Sequence, residues 1–351
     1  MAATICSISE VTFGRSLRGL RLENDLLATT ILLDKGADIY ELIYKPKSMD
    51  VLWKSPWGIK EPAHGFDSSS DTSGAWLEAY AGGWQELFPN GGNNCVYKGA
   101  ALNFHGEASM TAWHYEIVES GAQAAEVKLW TRLFRSPFRI ERSMRVEAGK
   151  PVLILREKIS NEGGEDMDYM WSHHPAFGAP FLSEHCRIDT GARTLLADDG
   201  YVGTFNPLTV NTSYQWPNGG DADYSIVPGQ DTPRDTLGYL KDFESGWYGI
   251  TNTEHGFGVG LAWDAAMFPY AWYWQEMYAN SGYPWYKAAY VMAIEPASSI
   301  PGQGLVNVME KTQTHRTIAA GASEETELRA VFYESNNGIS SIQADGTVVT
   351  K

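Results

Sequence analysis

His105, His174 and Glu295 are the side chains whose types and surroundings offer acid–base chemistry. His105 stands in Asn103-Phe104-His105-Gly106-Glu107, His174 in Trp171-Ser172-His173-His174-Pro175-Ala176-Phe177, and Glu295 in Ala293-Ile294-Glu295-Pro296. Each pattern reads as a strand or a strand end. Catalysis by proton transfer needs one group that takes a proton and another that gives one, and this trio can supply both. Each residue also has a plainer reading. Glu295 precedes a proline and reads equally as a solvated rim carboxylate, because exposure is the norm for Glu. His105 reads as the end of a strand before Gly106. Of the neighbours His173 and His174, one reads as a packed core histidine, since alternation along a strand sends them to opposite faces. The same alternation makes shared metal ligation by both awkward, and no ordered Asp/Glu/His spacing suggests zinc. No metal and no organic cofactor are expected. His64, His114, His185, His255 and His315 have no comparable setting and read as structural or surface residues.

Strands must position these groups. Residues 28–33 and 39–44 are β-branched and apolar around a turn at Asp34-Lys35-Gly36-Ala37. Residues 126–134, 138–147 and 151–160 alternate polar and apolar and are joined by short turns, which predicts an antiparallel meander with one wet face. Further short strands are predicted at 247–252, 258–263, 271–274, 288–295, 312–318 and 325–333. No convincing long amphipathic helix emerges, and no repeat of fixed period. Residues 56–83 and 211–236, rich in Gly, Ser, Asn, Asp and Pro, read as long loops, where binding residues tend to sit. The expected fold class is all-β, a large antiparallel β-sandwich, with residues 1–351 as a single domain.

Bulk composition narrows the function. The chain has 351 residues, 43% hydrophobic and 20% charged, which suits a large core and disfavours disorder. The net charge of −16 excludes nucleic acid and anionic membrane as natural partners. The 13 Trp and 18 Tyr suit sheet packing or flat ligands. Cys6, Cys95 and Cys186 are scattered and odd in number, so free thiols in a reducing compartment are expected. The first residues lack a basic segment followed by an apolar run, so no secretion signal is visible. No stretch of about 18 apolar residues suggests a membrane span. A cytoplasmic protein is expected; the sequence assigns no oligomeric state.

The order of motifs resembles the aldose 1-epimerase (galactose mutarotase-like) superfamily from about residue 25 to residue 335. Gly83-Trp84-Gln85-Glu86-Leu87-Phe88-Pro89 resembles its apolar-Phe-Pro segment, and Phe104-His105-Gly106 its His-Gly motif. Asn161, Trp171 and His174-Pro175-Ala176-Phe177 resemble its Asn-Gly turn and His-Pro-aromatic-Phe motif, with Ala176 in the aromatic's place. Ile294-Glu295-Pro296 resembles its Glu-Pro motif. The resemblance implies a galactose mutarotase-like supersandwich and an isomerase that interconverts the α and β anomers of an aldose or aldose derivative. It makes Glu295 the base, His174 the acid and His105 a group that binds or polarises the ring oxygen. The partner is then a small-molecule carbohydrate. Candidate binding residues are Glu107, Asn94, Asp235, Trp274 and Gln275. The chain departs from the family after Phe-Pro: Asn90-Gly91-Gly92-Asn93-Asn94 occupies the place of an arginine that grips sugar hydroxyls, and Asp235 is only the nearest match by order to the family's aspartate. That departure motivates the alternative, a non-catalytic carbohydrate-binding or sensing protein on the same fold. A lyase or hydrolase on a related sandwich is a third reading, because fold does not fix reaction.

Overall fold

The computed structural model describes residues 6–61 and 71–351. His64 and residues 62–70 of the expected loop 56–83 lie outside the described residues. Two large sheets dominate, and every pair of neighbouring strands in them is antiparallel. The order in the twelve-stranded front sheet is Ser7–Phe13, Leu17–Glu23, Leu27–Leu32, Asp38–Tyr44, Trp84–Leu87, Ser172–Gly178, Tyr290–Ala297, Tyr270–Met277, Arg234–Lys241, Thr194–Ala197 and Ser213–Gln215, with Met49–Asp50 paired beside Asp38–Tyr44. The eight-stranded back sheet runs Cys186–Thr190, Gly246–Asn252, Phe257–Trp263, Ser323–Glu334, Val152–Asn161, Phe138–Glu147, Ala124–Arg132 and His114–Ser120. The fold is the large all-β sandwich that the alternating segments led us to expect.

Burial follows from each strand's place. Phe138–Glu147 alternates strictly between buried and half-buried residues, as suits a strand with one wet face. Ser172–Gly178 and Tyr290–Ala297, in the middle of the front sheet, are buried throughout, because one face meets the back sheet and the other is covered by loops. Side chains of both sheets, such as Phe177 and Ile294 from the front and Ile140, Leu155 and Phe332 from the back, enter one hydrophobic cluster. Two expectations need revision. The stretch 56–83 contains a helix, Thr72–Ala79, whose first turn is capped by Asp71 accepting from the Gly74 N–H at 2.8 Å. The segment 312–318 is extended only at Arg316–Ile318, after a helix at Leu305–Lys311.

The sheets are also joined by buried charge. Arg142, on the back sheet, donates to Glu157 of its own sheet at 2.6 Å and to Glu86 of the front sheet at 2.5 Å. It donates as well to the Ala37 carbonyl at 3.0 Å. His173 accepts from Trp84 Nε1 at 3.2 Å through Nδ1, so Nε2 carries the proton. That Nε2 stands 2.9 Å from Glu157 Oε2, off the line of a hydrogen bond. Trp171 Nε1 donates to Glu86 at 2.8 Å. One guanidinium faces two carboxylates here. Burial and the Glu157 charge push Glu86 up to about 7. At Glu157 burial acts upward too, but His173 and Arg142 outweigh it and hold the carboxyl down. Removing one member strands the others in a dry interior. Arg142→Ala is therefore expected to lose about 3–5 kcal/mol in denaturant titration. Arg156→Ala, whose partner Glu327 it meets at the half-exposed surface, should leave the midpoint near wild type.

Candidate functional site

Antiparallel register assembles the site. Ser172 pairs with Ala297 and Ala176 with Ala293, which sets His174 opposite Glu295. Glu295 in turn pairs with Trp272, and Trp272 with Tyr239. Directly paired residues share a face, so this row lies on the side of the front sheet away from the back sheet. His173 and Glu86 lie on the opposite face, in the ionic network. His174 Nε2 stands 3.6 Å from Glu295 Oε1, too long for a hydrogen bond but close enough for one ligand oxygen to engage both.

A cavity of about 540 Å³ opens over this row. His105, His174 and Glu295 all line it, with Trp76, Tyr80, Phe104, Trp272, Trp274 and Trp285 as aromatic walls and Asp198, Tyr201 and Gln303 at a polar side. No Lys or Arg is among its described lining residues. His105 reaches it from a left-handed backbone, φ +57°, followed by Gly106 at φ +78°, where an added Cβ would lie 2.3 Å from the Phe88 carbonyl oxygen. His105 Nδ1 accepts the Gly92 N–H at 3.0 Å, so Nε2 bears the proton and acts as a donor. Its ring lies 5.9 Å from that of His174, and Trp76 touches both, at 4.6 Å and 5.9 Å between centroids.

Burial shapes the protonation of all three groups. It drives the His105 imidazole well below its usual range, with His174 adding to the effect, so His105 stays neutral. Desolvation pushes His174 down to about 4 and Glu295 well above the carboxylate range. Both shifts favour the uncharged forms, a neutral imidazole on His174 and a protonated carboxyl on Glu295.

Of the expected binding residues, Trp274 lines the cavity, its ring 5.9 Å from His174. The other four do not. Glu107 is buried and accepts from the backbone N–H groups of Phe134 and Arg135, at 3.0 Å each, and from Ser136 Oγ at 3.3 Å, so it shapes a loop. Gln275 lies on the inner face and donates to the Tyr273 hydroxyl at 3.1 Å, because alternation turns it away from Trp274. Asn94 is exposed beside Asn93, which does line the cavity. Asp235 stands one step behind the wall, accepting from the lining Tyr201 hydroxyl. In the family arginine's place, Gly91 and Gly92 let the loop pass close to Trp272 and Gly302, where Cβ atoms would lie 2.9 Å from the indole and 1.8 Å from a carbonyl oxygen. Sequence reasoning missed Trp76, Tyr80, Asp198, Tyr201, Trp285 and Gln303. Trp76 sits in a helix hidden within a loop-like composition. Asp198 precedes Asp199-Gly200, a turn signal without a ligand signal; it accepts the Gly200 and Tyr201 N–H groups at 2.8 and 2.7 Å.

A raised carboxyl pKa in the folded state means that the folded chain binds more protons than the unfolded chain above the ordinary Glu range. Stability linked to Glu295 is thus full at acidic pH and declines as pH climbs toward the raised value. Glu295→Gln lacks that decline. Its melting temperature is expected to gain on wild type as the pH rises above the ordinary carboxylate range; a pH-independent difference would contradict the assignment.

A family model described as Domain of unknown function (DUF4432) matches residues 14–331. No curated protein sequence matches the chain. Among solved structures, a galactose mutarotase-like protein from Clostridium acetobutylicum superposes with a TM-score of 0.67 at 16% identity, covering 94% of this chain and 99% of that one. A galactose mutarotase related enzyme from Lactobacillus acidophilus gives 0.61 at 16% identity, covering 92% and 100%. A galactose mutarotase-like protein from Lactobacillus casei gives 0.60 at 17% identity, covering 90% and 100%. The chain belongs to the family described as Domain of unknown function (DUF4432), and its fold is that of the galactose mutarotase-like proteins.

Proposed function

We propose that the protein is a mutarotase that exchanges the α and β anomers of an uncharged reducing sugar. The observation that carries this reading is the His174–Glu295 pair, 3.6 Å apart and buried, beside a second imidazole, His105, that presents an N–H. Ring opening needs the anomeric hydroxyl to lose a proton and the ring oxygen to gain one. In the working state Glu295 is the carboxylate and His174 the imidazolium, the tautomer one proton transfer from the resting pair. Glu295 takes the O1 proton, C1 becomes a carbonyl as its bond to the ring oxygen breaks, and His174 protonates that oxygen. His105 Nε2–H supports the negative charge growing on it. Rotation about C1–C2 and reversal of these steps give the other anomer and restore both groups.

The aromatic walls suit the apolar faces of a pyranose. The absence of Lys and Arg from the described lining, beside the carboxyls of Asp198 and Glu295, disfavours phosphorylated or acidic sugars. A reducing compartment, and so the cytoplasm, is supported by three unpaired cysteines. Among the described residues no helix is long and apolar enough to cross a membrane.

Anomer exchange measured by NMR across neutral hexoses, pentoses and reducing disaccharides is expected to exceed the buffer rate for at least one sugar, and the 6-phosphate of that sugar should react far more slowly. Glu295→Gln and His174→Asn should each lower kcat by about 10²–10⁴-fold. The pH profile should be a bell. Its acidic limb, near pH 4, marks a second proton entering the pair at His174; its basic limb, above the carboxylate range, marks loss of the one on Glu295. The four expected binding residues that miss the cavity favour a second reading, a carbohydrate-binding protein without turnover. Sugar binding that survives Glu295→Gln, with no exchange by either form, would establish it.

A further inference from the structure

The row that holds His174 and Glu295 continues across the front sheet in the other direction. Gln85 pairs directly with His174. The pairing of Ile39 with Trp84 places Asp38 beside Gln85, and Gln85 Nε2 donates to Asp38 Oδ2 at 3.1 Å. The second Gln85 N–H goes to the Gly82 carbonyl at 2.7 Å. Both partners are acceptors only, so the orientation of the amide is forced and Oε1 is its free end. Lys35 closes the far end of the row, 2.7 Å from Asp38 Oδ2.

Four buried polar atoms in this row have no hydrogen-bond partner: Asp38 Oδ1, Gln85 Oε1, His174 Nδ1 and Glu295 Oε2. Buried polar groups are rarely left so, and here they fall on four consecutive strands in register. His174 turns Nε2 toward Glu295, so Nδ1 is its other end. The residue paired with it across the strand presents a fully buried carbonyl oxygen that lacks a donor. Paired side chains on one face are near enough to bond directly or through one water.

We propose that Gln85, oriented by Asp38, is a positioning residue for His174: its amide oxygen accepts the Nδ1–H directly or through one water, which holds the imidazole in the Nδ1–H tautomer and leaves Nε2 to exchange a proton with Glu295 and the ligand. This rests on the reading of His174 as the acid. A neutral His174 with its proton on Nδ1 offers Nε2 a lone pair; once Nε2 is protonated, both N–H groups have acceptors. Asp38, whose Oδ2 also takes the Lys35 ammonium at 2.7 Å, fixes the amide with its oxygen end free, and an acceptor at Nδ1 favours the imidazolium. Other groups that face the ring are Tyr80, whose ring lies 5.5 Å away edge-on, His105, Trp76 and Trp274. Of these, the Tyr80 hydroxyl is also unpartnered.

Tautomers are read directly from ¹⁵N shifts of histidine-labelled protein, with the His174 signals assigned by His174→Asn; no sugar is needed. Wild type is expected to show Nδ1–H at His174. Gln85→Leu should move His174 toward Nε2–H and shift its protonation to lower pH. Asp38→Asn, which keeps the amide in place, should lower the His174 titration by a smaller amount. In the exchange assay Gln85→Leu should lower kcat on the order of tenfold with little change in KM. An Nε2–H tautomer in wild type, or a His174 titration unmoved by both substitutions, overturns the proposal. Should Gln85→Leu not fold, the wild-type tautomer and the Asp38→Asn titration still decide it. An absent exchange activity beside the expected shifts would sink the mutarotase reading and leave the positioning role standing.

Discussion

One buried guanidinium, Arg142, sets the frame on which the rest of the molecule depends. It rises from the back sheet and binds a carboxylate on each sheet, Glu157 and Glu86, with the Trp113 ring 5.2 Å from its charge. Hydrophobic faces alone hold two sheets together at about 10 Å, but they tolerate sliding. Directional bonds between buried charges do not, because any slip leaves a charge unpaired. Glu86 and His173 belong to the two strands that carry Gln85 and His174 on their other faces. The network thus anchors the backbone of the strand that carries His174 from behind, one residue away from the cavity.

That arrangement explains how adjacent histidines serve different ends. His173 meets Glu157 and Trp84 in the interior, where its role is structural. His174 points the opposite way, into a cavity whose walls are aromatic. The pleat separates them: a half-step along the chain moves a side chain from a charged clamp to a desolvated site. Desolvation then does chemical work. It disfavours charge on both His174 and Glu295, which reverses their ordinary order and favours the proton on the carboxyl over the imidazole.

Much of the fold was legible because sheets write a period of two into the chain. The segments 126–134, 138–147 and 151–160 alternate, and they are the strands Ala124–Arg132, Phe138–Glu147 and Val152–Asn161. The helix Thr72–Ala79 was not legible: its Gly and Ser content reads as loop, and its one deeply buried residue, Trp76, gives no periodic stripe. His105, His174 and Glu295 were identifiable from motif and resemblance. Glu107 and Gln275 were misplaced in advance, since neither a loop's turn toward Phe134 nor the parity of a strand relative to the cavity follows from residue type.

Residue types and local spacing by themselves determined the class of fold and the alternation that separates His173 from His174, and the resemblance of the motifs singled out His105, His174 and Glu295. Tertiary structure alone decided that His174 and Glu295 meet at 3.6 Å, that a helix and a loop from distant parts of the chain bring Trp76 and Trp285 to the same cavity, and that four of the expected binding residues stand elsewhere. The reason is physical. Alternation is a property of a few neighbouring residues, whereas register, burial and the proton affinities that burial sets arise only when strands separated by more than a hundred residues lie side by side.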